Sequence, residues 1–253
     1  MENQLNREEI LNIKECGKIL KDSLDVVCQN VRPGITAEFL DQIAEQEIRK
    51  KGAIPSFKNY YIRGLGSYPS SLCVSVNDEV VHGLPLKSKI LKDNDVVSLD
   101  LGAGFKGVFT DMAVTLILGK NGSSVEKLVE ATAKSLSLGI AQARAGNTLG
   151  DIGYAIGSYG ESLGFGVVRD LVGHGIGRKP HLPPQIPNYG RKGEGVVITE
   201  GMALAIEPMF TLGGPDIISE GDGWTIKTSD GSPAAHFEHT VVIENGKPVV
   251  VTA

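Results

Sequence analysis

The sequence predicts an α+β fold built from two similarly ordered αβ halves, residues 7–120 and 121–253, and three observations lead there. Two consecutive helix signals in residues 7–52 recur in residues 123–164. Each pair of helices is followed by short β-branched runs bounded by turn residues, the pattern of strands buried on at least one face. The tetrapeptide HGLP after the first pair is echoed by HGIG after the second, with acids in the later strands of both halves. Identity between the halves is weak, but the shared order suggests a pseudo-twofold relation with side chains from both meeting at the seam.

Each element has its own warrant. Ile10, Ile13, Cys16, Ile19 and Leu20, then Leu24, Val27 and Val31, fall at helical spacing, and Pro33-Gly34 ends the run. Thr36 caps a second helix in which Phe39, Leu40, Ile43, Ala44 and Ile48 recur up to Gly52. LCVSV and EVVHGLP flank Asn77-Asp78 as a hairpin, and DVVSLDLGAG with VFTDMAVTLIL makes another strand pair. In the second half, Ser123 with Glu126 has the capping-box pattern of a helix reaching about Ala145. Thr148 caps the next helix, which ends at Gly164. Strands are expected in GHGIG, MALAIEPMF and FEHTVVIENG. Residues 180–193, with four prolines, read as an extended loop beside His181. Residues 216–232 read as a long surface excursion carrying the single tryptophan, Trp224.

Composition narrows the function classes. With 253 residues and 41% hydrophobic content the chain can bury one large core or two small ones. A net charge of −5 gives no basic footprint for nucleic acid. The N-terminus, MENQLNREEILNIKE, is polar and acidic where a secretory signal needs a basic start and an apolar run. No stretch approaches the length of a membrane span. Cys16, Cys28 and Cys73 are odd in number and form no CxxC pair, which fits free thiols in a reducing compartment. A cytoplasmic protein is the expectation.

Five residues stand in contexts where an ionisable side chain is expensive. Asp100 interrupts VVSLDLG, Asp111 precedes MAVTLIL, His174 sits among glycines in GHGIG, Glu207 interrupts MALAIEP, and Glu238 precedes HTVVI. A lone carboxylate in such a run costs several kcal/mol unless a cation pairs with it. The acids could occupy strand ends or meet Lys and Arg. The sharper alternative is a shared metal site, because oxygen ligands with a single imidazole suit Mn, Fe(II), Co or Zn. Carboxylates can bridge, so four of them can hold two ions.

These residues also carry a resemblance. GHGIGRKPH (Gly173 to His181), DLGAGFKGVFTD with ten residues between its first and last aspartates, IEPMF around Glu207 and FEHT around Glu238 together resemble the type I methionine aminopeptidases. The resemblance runs from about Glu9 to the C-terminus and implies a single catalytic domain of pita-bread fold, with an antiparallel sheet and outer helices, in the short bacterial-type form. It implies two divalent ions (Co, Mn, Fe or Zn), with Asp111 and Glu238 bridging, Asp100 completing one site, and His174 with Glu207 completing the other. A bridging water or hydroxide would attack the scissile carbonyl, and Glu207 would also shuttle the proton. His181 would contact the substrate near that carbonyl and His82 near the peptide nitrogen, while His239 beside Glu238 is expected to play a supporting or core role.

By the same resemblance the first side chain of the substrate would enter a pocket of Ile62, Leu65, Tyr68, Cys73, Pro180 and Trp224. Ile62 stands where a small residue is common, Leu65 where many members carry an aromatic, Pro180 where Phe, Leu or Met is usual, and His236 where Gln is common. The mixture stays apolar and suits an unbranched thioether. The implied partners are nascent peptide N-termini, with ribosome contact left open, and a monomer is expected. Two competitors are an Xaa-Pro peptidase of the same fold, whose members usually carry an extra N-terminal domain, and a binding module that has lost the chemistry. All five ligands are present together with His82 and His181, which argues against the module.

Overall fold

The computed structural model describes residues 3–253. Helix α1 (Arg7–Asn30) starts where the Asn6 side chain accepts from the N–H groups of Glu8 and Glu9 while the Glu9 carboxylate accepts from the Asn6 N–H. That reciprocal cap satisfies donors the first turn cannot. The periodic face predicted for α1 is buried at Ile13, Cys16, Leu20, Leu24 and Val27. Helix α2 (Ala37–Lys50) starts at Thr36, whose hydroxyl accepts from the Phe39 N–H at 3.2 Å.

Strands β1 (Ile54–Pro55), β2 (Tyr61–Ile62), β3 (Gly66–Ser67), β4 (Leu72–Val76) and β5 (Glu79–Val81) precede a long hairpin of β6 (Val96–Phe105) and β7 (Val108–Ile117). The chain reverses at Asn77, with a positive φ of 60°, as its turn residues predict. The arms on either side do not form the expected ladder. Strand β4 pairs along its whole length with the longer, buried β6, and the short β5 is left to pair with a strand from the second half.

The chain then forms α3 (Ser123–Gln142) and α4 (Leu149–Ser162), followed by β8 (Gly166–Val167), β9 (Val172–Gly175), β10 (Leu182–Pro187), β11 (Ala203–Ile206) and β12 (Met209–Thr211). Five more strands finish it: β13 (Ile217–Ser219), β14 (Ile226–Thr228), β15 (Ala234–His236), β16 (Glu238–Glu244) and β17 (Lys247–Val250). At α4 the Asp151 carboxylate accepts from both the N–H and the hydroxyl of Thr148, fixing the predicted start. At α3 the expectation fails. Gly122 is the cap and Ser123 is already the first helical residue, one position too far along to cap, and the helix ends at Gln142.

A nine-stranded sheet runs in the order β1-β6-β7-β16-β11-β9-β10, with β4 also on β6 and β17 also on β16, and every pairing is antiparallel. Helices α1 and α2 bury their apolar faces with Leu72, Leu99 and Leu101, while α3 and α4 do so with Leu204, Phe210 and Val241. This curled sheet with helices packed on it is an α+β fold.

Two segments read as irregular carry strands instead. Part of the proline-rich loop is β10, at the sheet edge, where a missing N–H does least damage; its register with β9 shifts between Leu182 and Gln185, across Pro183 and Pro184. The surface excursion is the β13–β14 hairpin, which docks on β5. Strand β4 has its outer donors occupied: Leu72 N–H by Asp41, Val74 N–H by the Gly83 carbonyl and Val76 N–H by Glu79. Among the described residues no helix is long and apolar enough to cross a membrane.

Candidate metal centre

Sheet register gives the spacing of the two aspartates a cause. The β6–β7 hairpin turns through Lys106 and Gly107, at φ of 47° and 79°, so Asp100 opposes Ala113 and Gly102 opposes Asp111. Directly opposed residues share a face of the sheet, which puts Asp100 and Asp111 on one face, a diagonal step apart. Across the other side of β7, Ala113 also opposes Glu238. Asp100, Ala113 and Glu238 therefore form a row over three strands with only a methyl group in the middle. Carboxylate oxygens of Asp100, Asp111 and Glu238 come within 4.8 Å of one another.

The remaining two residues arrive from β9 and β11. His174 opposes Ala205, two residues before Glu207. Its glycine flanks are required, since a Cβ on Gly173 would overlap the Ala205 carbonyl and one on Gly175 the Pro183 carbonyl. His174 Nδ1 lies 2.9 Å from the Gly175 carbonyl, a contact that needs the proton on Nδ1. The bare Nε2 lone pair then faces Glu207 Oε1 at 3.6 Å. Atoms of His174, Glu207 and Glu238 form a second group within 4.8 Å, and Asp111, His174 and His181 a third.

The electrostatics of this cluster call for a cation. Burial pushes the His174 imidazole down to about 3, helped by neighbouring His181, so His174 and Glu207 do not meet as an ion pair. Burial also raises the Asp111, Glu207 and Glu238 carboxyls well above the usual range, with mutual repulsion adding to it, and raises Asp100 in the same direction. Asp100 Oδ1 and Glu238 Oε1 are buried and find no hydrogen-bond partner among the described residues. Orphaned oxygens, converging carboxylates and an imidazole lone pair turned inward fit divalent cations well.

Beside this cluster lies a cavity of about 250 Å³. Of the residues expected there, Ile62, Tyr68, Cys73, Trp224, His82 and His181 line it. Cys73 opposes Asp100 in register and so shares its face. Trp224, delivered by the β13–β14 hairpin, meets Tyr68 edge-on with ring centroids 5.1 Å apart. The His181 ring lies 4.3 Å from that of His174 and 5.0 Å from that of Tyr60. Leu65 and Pro180 are not part of the wall. The β2–β3 hairpin turns Ile62 inward, and beyond Gly64, at φ +94°, Leu65 is carried out to solvent at 53% exposure. Pro180 is half-buried outside the cavity, one residue before His181.

Residues 12–245 match metallopeptidase family M24. This chain belongs to that family. Methionine aminopeptidase of Clostridium perfringens is 47% identical over 247 residues, covering 98% of this chain and 97% of that protein. The crystal structure of methionine aminopeptidase from Thermotoga maritima superposes with a TM-score of 0.94 at 43% identity, covering 98% of both chains. By these relatives the chain falls among the methionine aminopeptidases of M24, and its fold is the pita-bread fold. A prolidase from Pyrococcus horikoshii shares the fold alone, at 18% identity and a TM-score of 0.79, and this chain spans 63% of its length.

Phe57 and Met209 of this M24 site were not singled out in the sequence, whereas His236 and His239 were. Phe57 enters the cavity wall with its ring edge beside the Ser56 hydroxyl over Gly102, where a Cβ would overlap both. Met209 lines the wall too, and strand alternation two residues from Glu207 could have found it. His236 is 1% exposed, has no hydrogen-bond partner among the described residues for either ring nitrogen, and brings Nε2 to 3.8 Å from Glu207 Oε2. His239 follows Glu238 on β16, so alternation turns it to the opposite face, where Nδ1 meets the Thr252 hydroxyl at 2.9 Å.

Proposed function

We propose that this M24 metallopeptidase removes the initiator methionine from nascent chains whose second residue is small, using two divalent ions held by Asp100, Asp111, His174, Glu207 and Glu238. The observation that carries the reading is the convergence of these five side chains beside an apolar cavity of side-chain size. Asp111, His174 and Glu238 each join two of the three donor groups, whereas Asp100 and Glu207 each join one; an imidazole has a single lone pair to give and a carboxylate has two oxygens, which supports bridging roles for Asp111 and Glu238. Bound ions would supply Lewis acidity to the scissile carbonyl and a nucleophilic water at neutral pH.

The chain's own residues account for the rest. Ile62, Tyr68, Cys73 and Trp224 receive the methionine side chain and exclude water from it. Burial lowers His82 to about 4 and lowers His181 as well, so each is a neutral imidazole able to donate one hydrogen bond. His181, next to His174, is positioned for the substrate carbonyl oxygen and His82 for the peptide nitrogen. Glu207 can take a proton from the attacking water on one carboxylate oxygen and return it to the leaving amine. The first half contributes Asp100 and Asp111, and the second His174, Glu207 and Glu238. This supports treating residues 1–253 as one catalytic domain whose halves, 7–120 and 121–253, meet at the site. The reading sets the enzyme in the cytoplasm as a monomer working on nascent N-termini.

A peptide panel tests it. Protein loaded in turn with Mn(II), Co(II), Fe(II) and Zn(II) is offered Met-Ala-Ser, Met-Leu-Ser, Leu-Ala-Ser and Ala-Pro-Ser. Release of methionine from Met-Ala-Ser alone is expected. Preference for Leu-Ala-Ser or Ala-Pro-Ser would move the substrate class, and no cleavage with any metal would defeat the proposal.

A further inference from the structure

His82 reaches the cavity from a strained backbone. Its φ is +57°, a left-handed conformation that a non-glycine residue keeps only where its surroundings enforce it. Those surroundings form a compact clamp. The Gly83 carbonyl accepts from the Val74 N–H at 2.8 Å and from the Tyr68 hydroxyl at 3.3 Å, and the Gly83 N–H donates to Ser75 Oγ at 3.1 Å. Behind them Lys89 Nζ donates to the Val74 carbonyl at 2.9 Å and to Glu79 Oε2 at 2.6 Å, while the same Glu79 oxygen accepts from the Val76 N–H at 2.8 Å. Lys89 is itself tied down, its carbonyl accepting from the Ala37 N–H at the start of α2 at 2.8 Å. Gly83 has no room for a side chain, since a Cβ would overlap the Val74 carbonyl and lie 2.8 Å from Glu79 Oε2.

The side chains of Lys89 and Glu79 are only 17% and 16% exposed. Apolar residues can often replace a buried ion pair without loss of stability, so stability alone does not account for one at this place. What the pair joins is the β4–β5 reversal that presents His82.

We propose that Lys89 and Glu79, with Ser75, are positioning residues of the aminopeptidase reaction: they lock the β4–β5 reversal and so hold His82 in the left-handed conformation that faces the substrate. The inference rests on the assignment of His82 to substrate contact and extends it to side chains that touch neither substrate nor ions. Displacing a group by about 1 Å can lower a rate by about 100-fold, which sets the scale of the effect.

The test uses the full chain loaded with Mn(II) and the variants Lys89→Met, Ser75→Ala, His82→Ala and the double variant His82→Ala/Lys89→Met. Three quantities are read: kcat/KM on Met-Ala-Ser per folded molecule, Mn(II) affinity by calorimetry, and melting temperature. Lys89→Met and Ser75→Ala are expected to lose about 10- to 100-fold in kcat/KM with Mn(II) affinity unchanged. The double variant is expected to be no slower than His82→Ala, because both changes remove the same contribution. Should Lys89→Met fail to fold, Ser75→Ala strands no charge and carries the test. Lower melting temperatures with kcat/KM unchanged, or multiplicative losses in the double variant, would overturn the inference. Full activity in His82→Ala would remove the His82 assignment and the inference together, whereas an impaired His82→Ala beside unimpaired Lys89→Met and Ser75→Ala would remove the inference alone.

Discussion

Ala113 is the residue over which the carboxylates meet, and enlarging it should weaken metal binding without unfolding the protein. It opposes Asp100 on one side and Glu238 on the other. Neighbouring strands lie about 4.8 Å apart, so the two acids are rooted about 10 Å from each other. Their oxygens still come within 4.8 Å because both side chains lean across a single methyl. Ala113 is 1% exposed, which leaves nowhere for extra atoms to go. Ala113→Val adds two carbons to that space, and overpacking of this kind costs about 1–3 kcal/mol. The penalty falls mainly on the state in which the acids are drawn together. In the metal-free protein they can splay, which relieves both the crowding and their repulsion. Mn(II) affinity should therefore drop about 5- to 150-fold. The metal-free melting temperature should stay close to wild type, since valine suits a strand better than alanine. Titration calorimetry and melting curves with and without Mn(II) measure both. Wild-type affinity in the variant would show that the ligands do not converge over Ala113, and collapse of the metal-free form would show that the methyl serves packing alone.

Other changes have equally definite outcomes. Stability of the chelated protein should fall as pH rises. Free carboxyls titrate near pH 4, and burial raises Asp111, Glu207 and Glu238 well above that, so over this window the folded state holds more protons than the unfolded one. The gap in melting temperature between loaded and chelated protein should widen from pH 5 to pH 8, and an unchanged gap would contradict the buried-carboxylate account. Asp111→Ala should abolish metal binding and activity while circular dichroism shows the fold intact; an active variant would refute its ligand role. Trp224→Ala removes an aromatic wall of the cavity, and should raise KM for Met-Ala-Ser about 10-fold with Mn(II) affinity unchanged, given about 1.5 kcal/mol for the apolar burial of the methionine side chain that this wall supplies.

The parts of this site that could be read in advance are those where chemistry and local context conflict. Asp100 and Glu207 stand out because a carboxylate inside a run of Val, Leu and Ala has few tolerable explanations, and Thr36 and Thr148 because capping is local. What escaped depends on competition between distant partners. Nothing in EVVHGLP says that β6 will outbid β5 for β4, or that β5 will then receive the hairpin bearing Trp224. Phe57 belongs to the same class, since Ser56 and its own ring edge both pack over the bare backbone of Gly102 on the distant β6. Ser123 failed for a smaller reason, a one-residue difference in where the helix begins, which composition alone cannot resolve.

The outermost strands of the nine-stranded sheet share one more property. Proline occupies one of two positions in β1, one of four in β17 and three of six in β10. The outward N–H groups of β4 are already engaged by Asp41, Gly83 and Glu79. An open sheet margin is a template on which any extended polypeptide can add itself as a further strand. For an enzyme that removes N-terminal methionine from polypeptides, that would mean self-inhibition by its own substrates and a route to co-aggregation. With proline in three of these strands and the outward donors of the fourth engaged, the rim offers few places for a tenth strand to pair.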